Sequence, residues 1–205
     1  IHRRPKKQTL VPDHLNVLKS CTLYEDKSLL VIDKPSGIAV HGGSGLSCGV
    51  IEALRSYREP VGYLELVHRL DRETSGCLML AKNPGMLRLL HKGFREPSSN
   101  FIIKKYVSLL IGEWRYGRRE VNLELETKNY VGERRRSTVV KGGRKATTLF
   151  IPVRNFEGYG LVEIELGTGR MHQIRAHAAA LGHPVAGDQK YGSHLANRKL
   201  RQLGL

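Results

Sequence analysis

Apolar and polar positions alternate with changing period along this chain, and the changes mark its elements. Residues 28–33 (SLLVID) form a short apolar run that stops at Pro35-Ser36-Gly37, so a strand and then a turn are expected. Ser47 is expected to cap a helix that carries Val50, Ile51, Leu54 and Tyr57 on one stripe. Leu46 and Ile51 are spaced as a hydrophobic staple at its start. Residues 64–67 and 77–81 read as strands flanking a polar loop. Asn83-Pro84 then opens a helix whose Leu87, Leu90 and Phe94 recur at helical spacing. Residues 102–111 predict a long strand. Val121, Leu123 and Leu125 alternate with Asn122, Glu124 and Glu126 as in a half-buried strand, and residues 146–153 and 161–166 predict two more. Residues 171–181 predict a helix with Met171, Ile174, Ala178 and Leu181 inward, ended by Gly182 with Pro184 beyond. Many strands, about three helices and no strict β-α-β alternation point to an α+β fold with a large mixed or mostly antiparallel sheet. No repeat or low-complexity block interrupts it.

Composition narrows the class. The chain has 205 residues, 40% hydrophobic and 26% charged, the make-up of a globular protein with one well-filled core. No apolar run is long enough to span a bilayer, and the basic start Ile1-His2-Arg3-Arg4-Pro5-Lys6-Lys7 is not a secretory signal, so no membrane partner is expected. The sequence lacks an initiating Met, which suggests a domain cut from a longer chain. Residues 1–20 are expected to be a basic lead-in and residues 21–205 the folded domain. Cys21, Cys48 and Cys77 form no Cys-x-x-Cys pair, which argues against a disulfide framework or zinc module and fits a reducing cytoplasm.

The net charge of +15 changes the picture most. A basic surface releases counterions from a polyanion, so nucleic acid is the favoured partner over an anionic membrane surface. Part of the excess lies in the tail. Arg134, Arg135, Arg136, Lys141, Arg144 and Lys145 form a second cluster within the fold. No heptad pattern or evident interface is present, and a monomer is expected.

Three polar segments interrupt the apolar pattern. Lys34-Pro35-Ser36-Gly37 with His41-Gly42-Gly43-Ser44-Gly45 can bring backbone amides close to a phosphate, or simply connect elements at the surface. It is not a Walker loop, because no Gly-Lys-Ser/Thr follows. In His68-Arg69-Leu70-Asp71-Arg72-Glu73-Thr74-Ser75-Gly76 an acid lies between two arginines. Neighbouring positive charge favours an ionised carboxylate, and in a sheltered loop that group can be a nucleophile. A local turn onto the amides of Glu73 or Thr74 fits the same residues. In Gly167-Thr168-Gly169-Arg170-Met171-His172-Gln173-Ile174-Arg175-Ala176-His177, a strand end runs into a helix whose N-terminus favours anions. Arg175 follows His172 by three residues and shares its helix face. The five-residue spacing of His172 and His177 does not suit two ligands on one helical face, and no metal is expected. His177 is expected to hydrogen-bond within the fold.

Together these segments resemble the motifs of the RluA-type pseudouridine synthases. His68-Arg69-Leu70-Asp71 with Thr74-Ser75-Gly76 looks like the family signature. Asp33-Lys34-Pro35-Ser36-Gly37 with Val40-His41 resembles the motif before it. Gly169 to Arg175, Gly182-His183-Pro184 and Gly187-Asp188-Gln189-Lys190-Tyr191-Gly192 resemble the one after it. The match runs in order from about Tyr24 to Gly192. The resemblance implies an isomerase that detaches uracil from its ribose in RNA, rotates it and rejoins it through carbon 5, with no cofactor. It implies Asp71 as the essential nucleophile or base, Tyr106 as the ring that stacks on uracil, and Arg175 as the partner of Asp71. Arg69 would fill the gap left by a flipped-out base. Arg72, Arg170, His172, Lys34 and His41 would contact phosphate or base. The stretch from His41 to Ser47 further resembles the branch that acts on large-subunit, 23S, ribosomal RNA, with transfer RNA the other substrate within the family. Enzymes of that branch usually begin with a small RNA-binding domain of the S4 type, which this sequence lacks.

Two other classes compete. A non-catalytic RNA-binding module suits the charge but not an acid placed between arginines, since carboxylates repel phosphate. A metal-dependent nuclease would need several carboxylates converging on a divalent ion. Asp33, Asp71 and Asp188 each have lysine or arginine nearby in sequence.

Overall fold

The computed structural model describes residues 12–43, 48–58, 62–96, 101–128 and 135–202. The expected staple and cap at Leu46 and Ser47, the basic residues of the tail and Arg134 lie outside the described residues. The chain divides into two compact units at Glu96.

In the first unit, a 3-10 helix (Asp13–Ser20) is followed by β1 (Thr22–Glu25), β2 (Leu29–Lys34), α1 (Val50–Ser56), β3 (Glu65–Leu66), β4 (Gly76–Ala81) and α2 (Pro84–Arg95). The strands form one antiparallel sheet in the order β1-β2-β4-β3. Leu30 pairs with Leu80 and Ile32 with Leu78, and all four side chains are buried. The period-2 alternation of both strands therefore puts one apolar row on one face. Lys34 at the end of β2 lies opposite Gly76 at the start of β4. The loop that leaves β2 and the loop that enters β4 consequently meet at one edge of the sheet.

Asn83 caps α2 as its sequence suggests, accepting the Met86 N–H at 2.8 Å. At α1 the capping residue is Gly49. Its φ is extended, and a Cβ there would come within 2.7 Å of the Ala39 carbonyl oxygen, so only glycine fits. The carbonyls of Ala39 and Val40 accept the N–H groups of Val50 and Ile51, while the Glu52 carboxylate accepts those of Gly49 and Gly42. The segment carrying His41 is thereby tied to the start of α1. Residues 13–20, assigned from sequence to the lead-in, instead form the 3-10 helix with Leu15 and Leu18 buried one turn apart.

The second unit contains β5 (Lys105–Ile111), β6 (Arg119–Lys128), β7 (Arg136–Val139), β8 (Arg144–Phe156), β9 (Tyr159–Leu166), α3 (Gln173–Ala180) and α4 (His194–Gln202). Its antiparallel sheet has the order β5-β9-β8-β6-β7. One face is closed by α3. Ala178 joins Leu110, Trp114, Val121, Phe150, Val162 and Ile164 in a buried cluster, and Ala176 joins Leu125, Ala146 and Tyr191 in another. Small residues at the contact let the helix approach the sheet closely. The α+β class read from the sequence holds, with antiparallel pairing in both sheets. The helix expected over 171–181 begins at Gln173, because His172 at the capping position takes left-handed backbone angles. Among the described residues no helix is long and apolar enough to cross a membrane.

Candidate active site

Asp71 sits half-buried on the loop between β3 and β4. This loop and the turn after β2 are fastened by three side chains. Lys34 is fully buried, and its Nζ donates to the carbonyls of Pro35 (2.7 Å), Ile38 (2.8 Å) and Arg72 (3.1 Å). Arg72 Nε donates to the Gly37 carbonyl at 2.8 Å, and Ser36 Oγ to the Glu73 carbonyl at 2.8 Å. The positive φ of Gly37 (83°) and Gly76 (109°) lets the backbone turn at each end. Asp71 closes a turn of its own through its carbonyl, which accepts the Thr74 N–H at 3.1 Å. Burial lowers the Lys34 pKa to about 8, against the opposing attraction of Glu73 and Asp71. A cation is thus held next to the Asp71 loop from below.

This corrects the sequence reading of Lys34 as an RNA contact. Its three bonds to carbonyls and its complete burial make it a tie between loops. Arg72 is exposed and combines a loop tie with an ion pair to Glu73 at 3.5 Å.

His68 precedes this loop and fixes its start. Its Nε2 accepts the Met79 N–H at 3.1 Å, and its ring stacks on Phe94 with centroids 4.9 Å apart. Burial lowers its pKa to about 4, partly opposed by a backbone hydrogen bond at Arg69, so the imidazole is neutral at physiological pH. Only the position of His68 in the motif hints at this role in the sequence. Arg69 and His41 are both exposed and line one open cavity of about 430 Å³, with Arg55, Leu66, His68 and His91 among its walls.

The remaining candidates lie in the second unit. Tyr106 stands on β5 opposite Ile164, half-buried against the core. Arg175 projects from α3 and forms a two-pronged pair with Asp188, Nε to Oδ2 at 2.6 Å and Nη2 to Oδ1 at 2.9 Å. Asp188 also accepts the N–H groups of Lys190 (2.8 Å) and Tyr191 (3.0 Å). Burial pushes the Asp188 carboxyl up, but these bonds from Arg175, Tyr191 and Lys190 outweigh it and hold the group below the usual carboxylate range. His172 places Nδ1 2.9 Å from the Tyr191 hydroxyl. Arg170 is exposed, with Nε 3.2 Å from the Lys145 carbonyl.

Gln173, which sequence reasoning passed over, knits this region together. It is buried. Its Oε1 accepts from Thr168 Oγ1 and the Arg170 N–H, and its Nε2 donates to the Thr147 carbonyl and Thr148 Oγ1. A glutamine at a helix start is a legible capping signal, passed over here because the helix was begun two residues too early, at Met171. His177 is fully buried, as expected of a core histidine. The hydrogen bonding expected of it is not met by good geometry at either ring nitrogen, and burial lowers its pKa against a weaker opposing interaction with the Leu123 backbone.

The first unit therefore gathers Asp71, Arg72 and Lys34 at one sheet edge, with Arg69 and His41 along one cavity. The second gathers Arg175 and His172 around Asp188 and Tyr191.

The chain is similar to known proteins in sequence and in fold. The family model described as RNA pseudouridylate synthase matches residues 28–180, from the approach to β2 through the end of α3. Ribosomal large subunit pseudouridine synthase C of Pasteurella multocida is 45% identical over 188 residues, 92% of this chain and 57% of that protein. The proteins of the same name from Haemophilus ducreyi and Yersinia pestis are 41% and 44% identical, across 98% and 94% of this chain and 63% and 59% of theirs. The chain thus spans about three-fifths of the length of these curated relatives. Among solved structures, human RNA pseudouridylate synthase domain containing 4 superposes with a TM-score of 0.72 at 27% identity, covering 94% of this chain and 79% of that one. Human RNA pseudouridylate synthase domain containing 1 shares the fold, with a TM-score of 0.72 at 23% identity over 96% of this chain and 76% of its own. A family match that takes in both the Asp71 loop and α3, supported by relatives aligned along nearly the whole sequence, leads to one conclusion: this chain belongs to the RNA pseudouridylate synthase family.

Proposed function

We propose that this chain converts uridine to pseudouridine in 23S ribosomal RNA, with Asp71 as the essential group. The observation that carries the reading is the fastening of the Asp71 loop. Lys34, Arg72 and Ser36 hold its backbone from across the loop edge, as a reacting carboxylate requires. The names of the relatives support ribosomal RNA of the large subunit as the substrate.

The reaction breaks the bond from uracil N1 to ribose C1′ and forms one from C5 to C1′. The proton leaving C5 is balanced by one gained at N1, so the product is an isomer and no cofactor, metal or redox partner is consumed. Asp71 acts on the nucleoside as nucleophile or base, and both roles need the ionised carboxylate. The family resemblance assigns Arg175, held by Asp188, to the same reaction, and the phenol ring of Tyr106 stacks on the uracil, a contact worth about 1–3 kcal/mol. The target base must leave its helix at a cost of a few kcal/mol. Arg69 is exposed and able to take its place, stacking its guanidinium on neighbouring bases. Arg72, Arg170, His172 and His41 contact the surrounding RNA. The three free thiols suit a cytoplasmic protein, and we take the active form to be a monomer.

The test is a large-subunit ribosomal RNA transcript incubated with the chain and a chelator, then treated with carbodiimide and read by primer extension. New stops at one or a few uridines support the reading. Stops on transfer RNA alone would transfer the substrate, and none on either RNA would refute the activity.

A further inference from the structure

We propose that Tyr191 is a positioning residue that locks Arg175 in place and holds His172 as the tautomer with hydrogen on Nε2. Its catalytic consequence rests on the function proposed above; the tautomer does not.

His172 is the only non-glycine among the described residues with a left-handed backbone, at φ 51°. Such a conformation persists where the surroundings over-determine it. Here the His172 carbonyl accepts the Ala176 N–H at 2.9 Å, which commits the backbone to starting α3. The ring stands edge-on to Tyr191, with centroids 5.6 Å apart and Nδ1 2.9 Å from the phenol oxygen.

The phenol oxygen has a second, fixed neighbour. The Ser137 backbone N–H donates to it at 2.7 Å. Burial raises the Tyr191 pKa, partly opposed by that N–H and by Arg175 and Arg136, so the phenol keeps its proton at neutral pH. With one lone pair of the phenol oxygen engaged by a backbone donor, we assign the hydroxyl hydrogen to the ring nitrogen in reach, His172 Nδ1. A ring nitrogen that accepts carries no hydrogen, and the neutral imidazole then bears it on Nε2.

The ring of the same tyrosine faces the arginines. The guanidinium carbons of Arg136 and Arg175 lie 4.8 and 5.0 Å from its centroid. Arg175 is gripped in addition by Asp188, which accepts the Tyr191 backbone N–H as well. The turn that carries both residues has little freedom. Asn197 bonds to its start, accepting the Gly187 N–H and donating to the Asp188 carbonyl, and a Cβ at Gly192 would meet the Asp188 oxygen at 2.2 Å. Arg175 is therefore held at its edge by Asp188 and at its face by Tyr191, and His172 by the hydroxyl of the same side chain.

The experiment uses the whole 205-residue chain labelled with ¹⁵N-histidine. Two-bond proton–nitrogen correlations report the tautomer, and His172→Gln assigns the signal. In wild type His172 should read as the Nε2–H form. In Tyr191→Phe the bias should be lost, and kcat on the ribosomal RNA transcript should fall about 10- to 100-fold with KM little changed. An Nδ1–H form in wild type would overturn the proposal even if Tyr191→Phe fails to fold. So would a Tyr191→Phe protein with tautomer and kcat unaltered. A wild type that shows the expected tautomer but makes no pseudouridine would refute the proposed function and leave the tautomer assignment standing.

Discussion

The Asp71 loop and the Arg175 site are fastened by different means. Around Asp71, side chains donate to backbone carbonyls of the facing loop, from Lys34, Arg72 and Ser36. Loop is tied to loop at a sheet edge, and two of the three tying residues, Ser36 and Arg72, are exposed. Around Arg175, side chains bind side chains. Its guanidinium is paired with a carboxylate whose side chain is 3% exposed, and it lies against the ring of Tyr191. The difference separates two kinds of damage. Loosening the first region moves the Asp71 loop while most of the core stays packed. Opening the second leaves a charge stranded in the protein interior.

The largest loss of stability is expected from Arg175→Met. It strands Asp188 and should cost about 3–5 kcal/mol in urea unfolding. A cost below about 1 kcal/mol would mean that this pair behaves as a surface ion pair, and the contrast would fail.

His68 gives the next largest effect, through pH. Its folded pKa of about 4 lies below the ordinary 6.5, so on acidification the unfolded chain takes the proton first. Its contribution is complete above pH 6.5 and is lost as the pH falls towards about 4, amounting to about 3 kcal/mol. The difference in unfolding free energy between wild type and His68→Gln should narrow by that order between pH 7 and pH 4. Parallel pH curves for the two proteins would remove His68 from the anchoring of the loop.

Lys34→Met should cost about 2 kcal/mol, since three carbonyls lose their donor while the penalty for burying an ammonium disappears. Turnover should fall by more than this stability change explains. Loss of stability with full turnover would show that the tie does not position Asp71. Arg69→Ala should have the smallest effect, about tenfold in turnover, or 1.4 kcal/mol, on folded RNA only. Equal loss on a short unstructured strand would argue against its place in base flipping.

How much of this could be read beforehand follows from what each feature depends on. Strands such as β2 and β4 were legible because their apolar residues alternate against one core. The Asp71 segment stood out because it is polar and charged between two such runs, and the role expected of Asp71 came from the family resemblance. The burial of Lys34 was not, since its cation is satisfied by carbonyls brought in from residue 72, which no local pattern announces. The helix α4 was missed because only Asn197 and Leu200 of its nine residues are buried, which leaves no apolar stripe to detect. The strand β7 was missed because it is fixed by its ladder with β6, and its sequence RSTV carries little alternation. Arg175 was placed by family resemblance. Its bond to Asp188 depends on a turn thirteen residues later.

The most direct test of the central claim is Asp71→Asn, which removes the charge and keeps the shape. Binding to the ribosomal RNA transcript and pseudouridine formation are measured on the same preparation as wild type. Binding equal to wild type with no detectable pseudouridine is the result expected of an essential carboxylate. Turnover near that of wild type would contradict the account and take Asp71 out of the reaction.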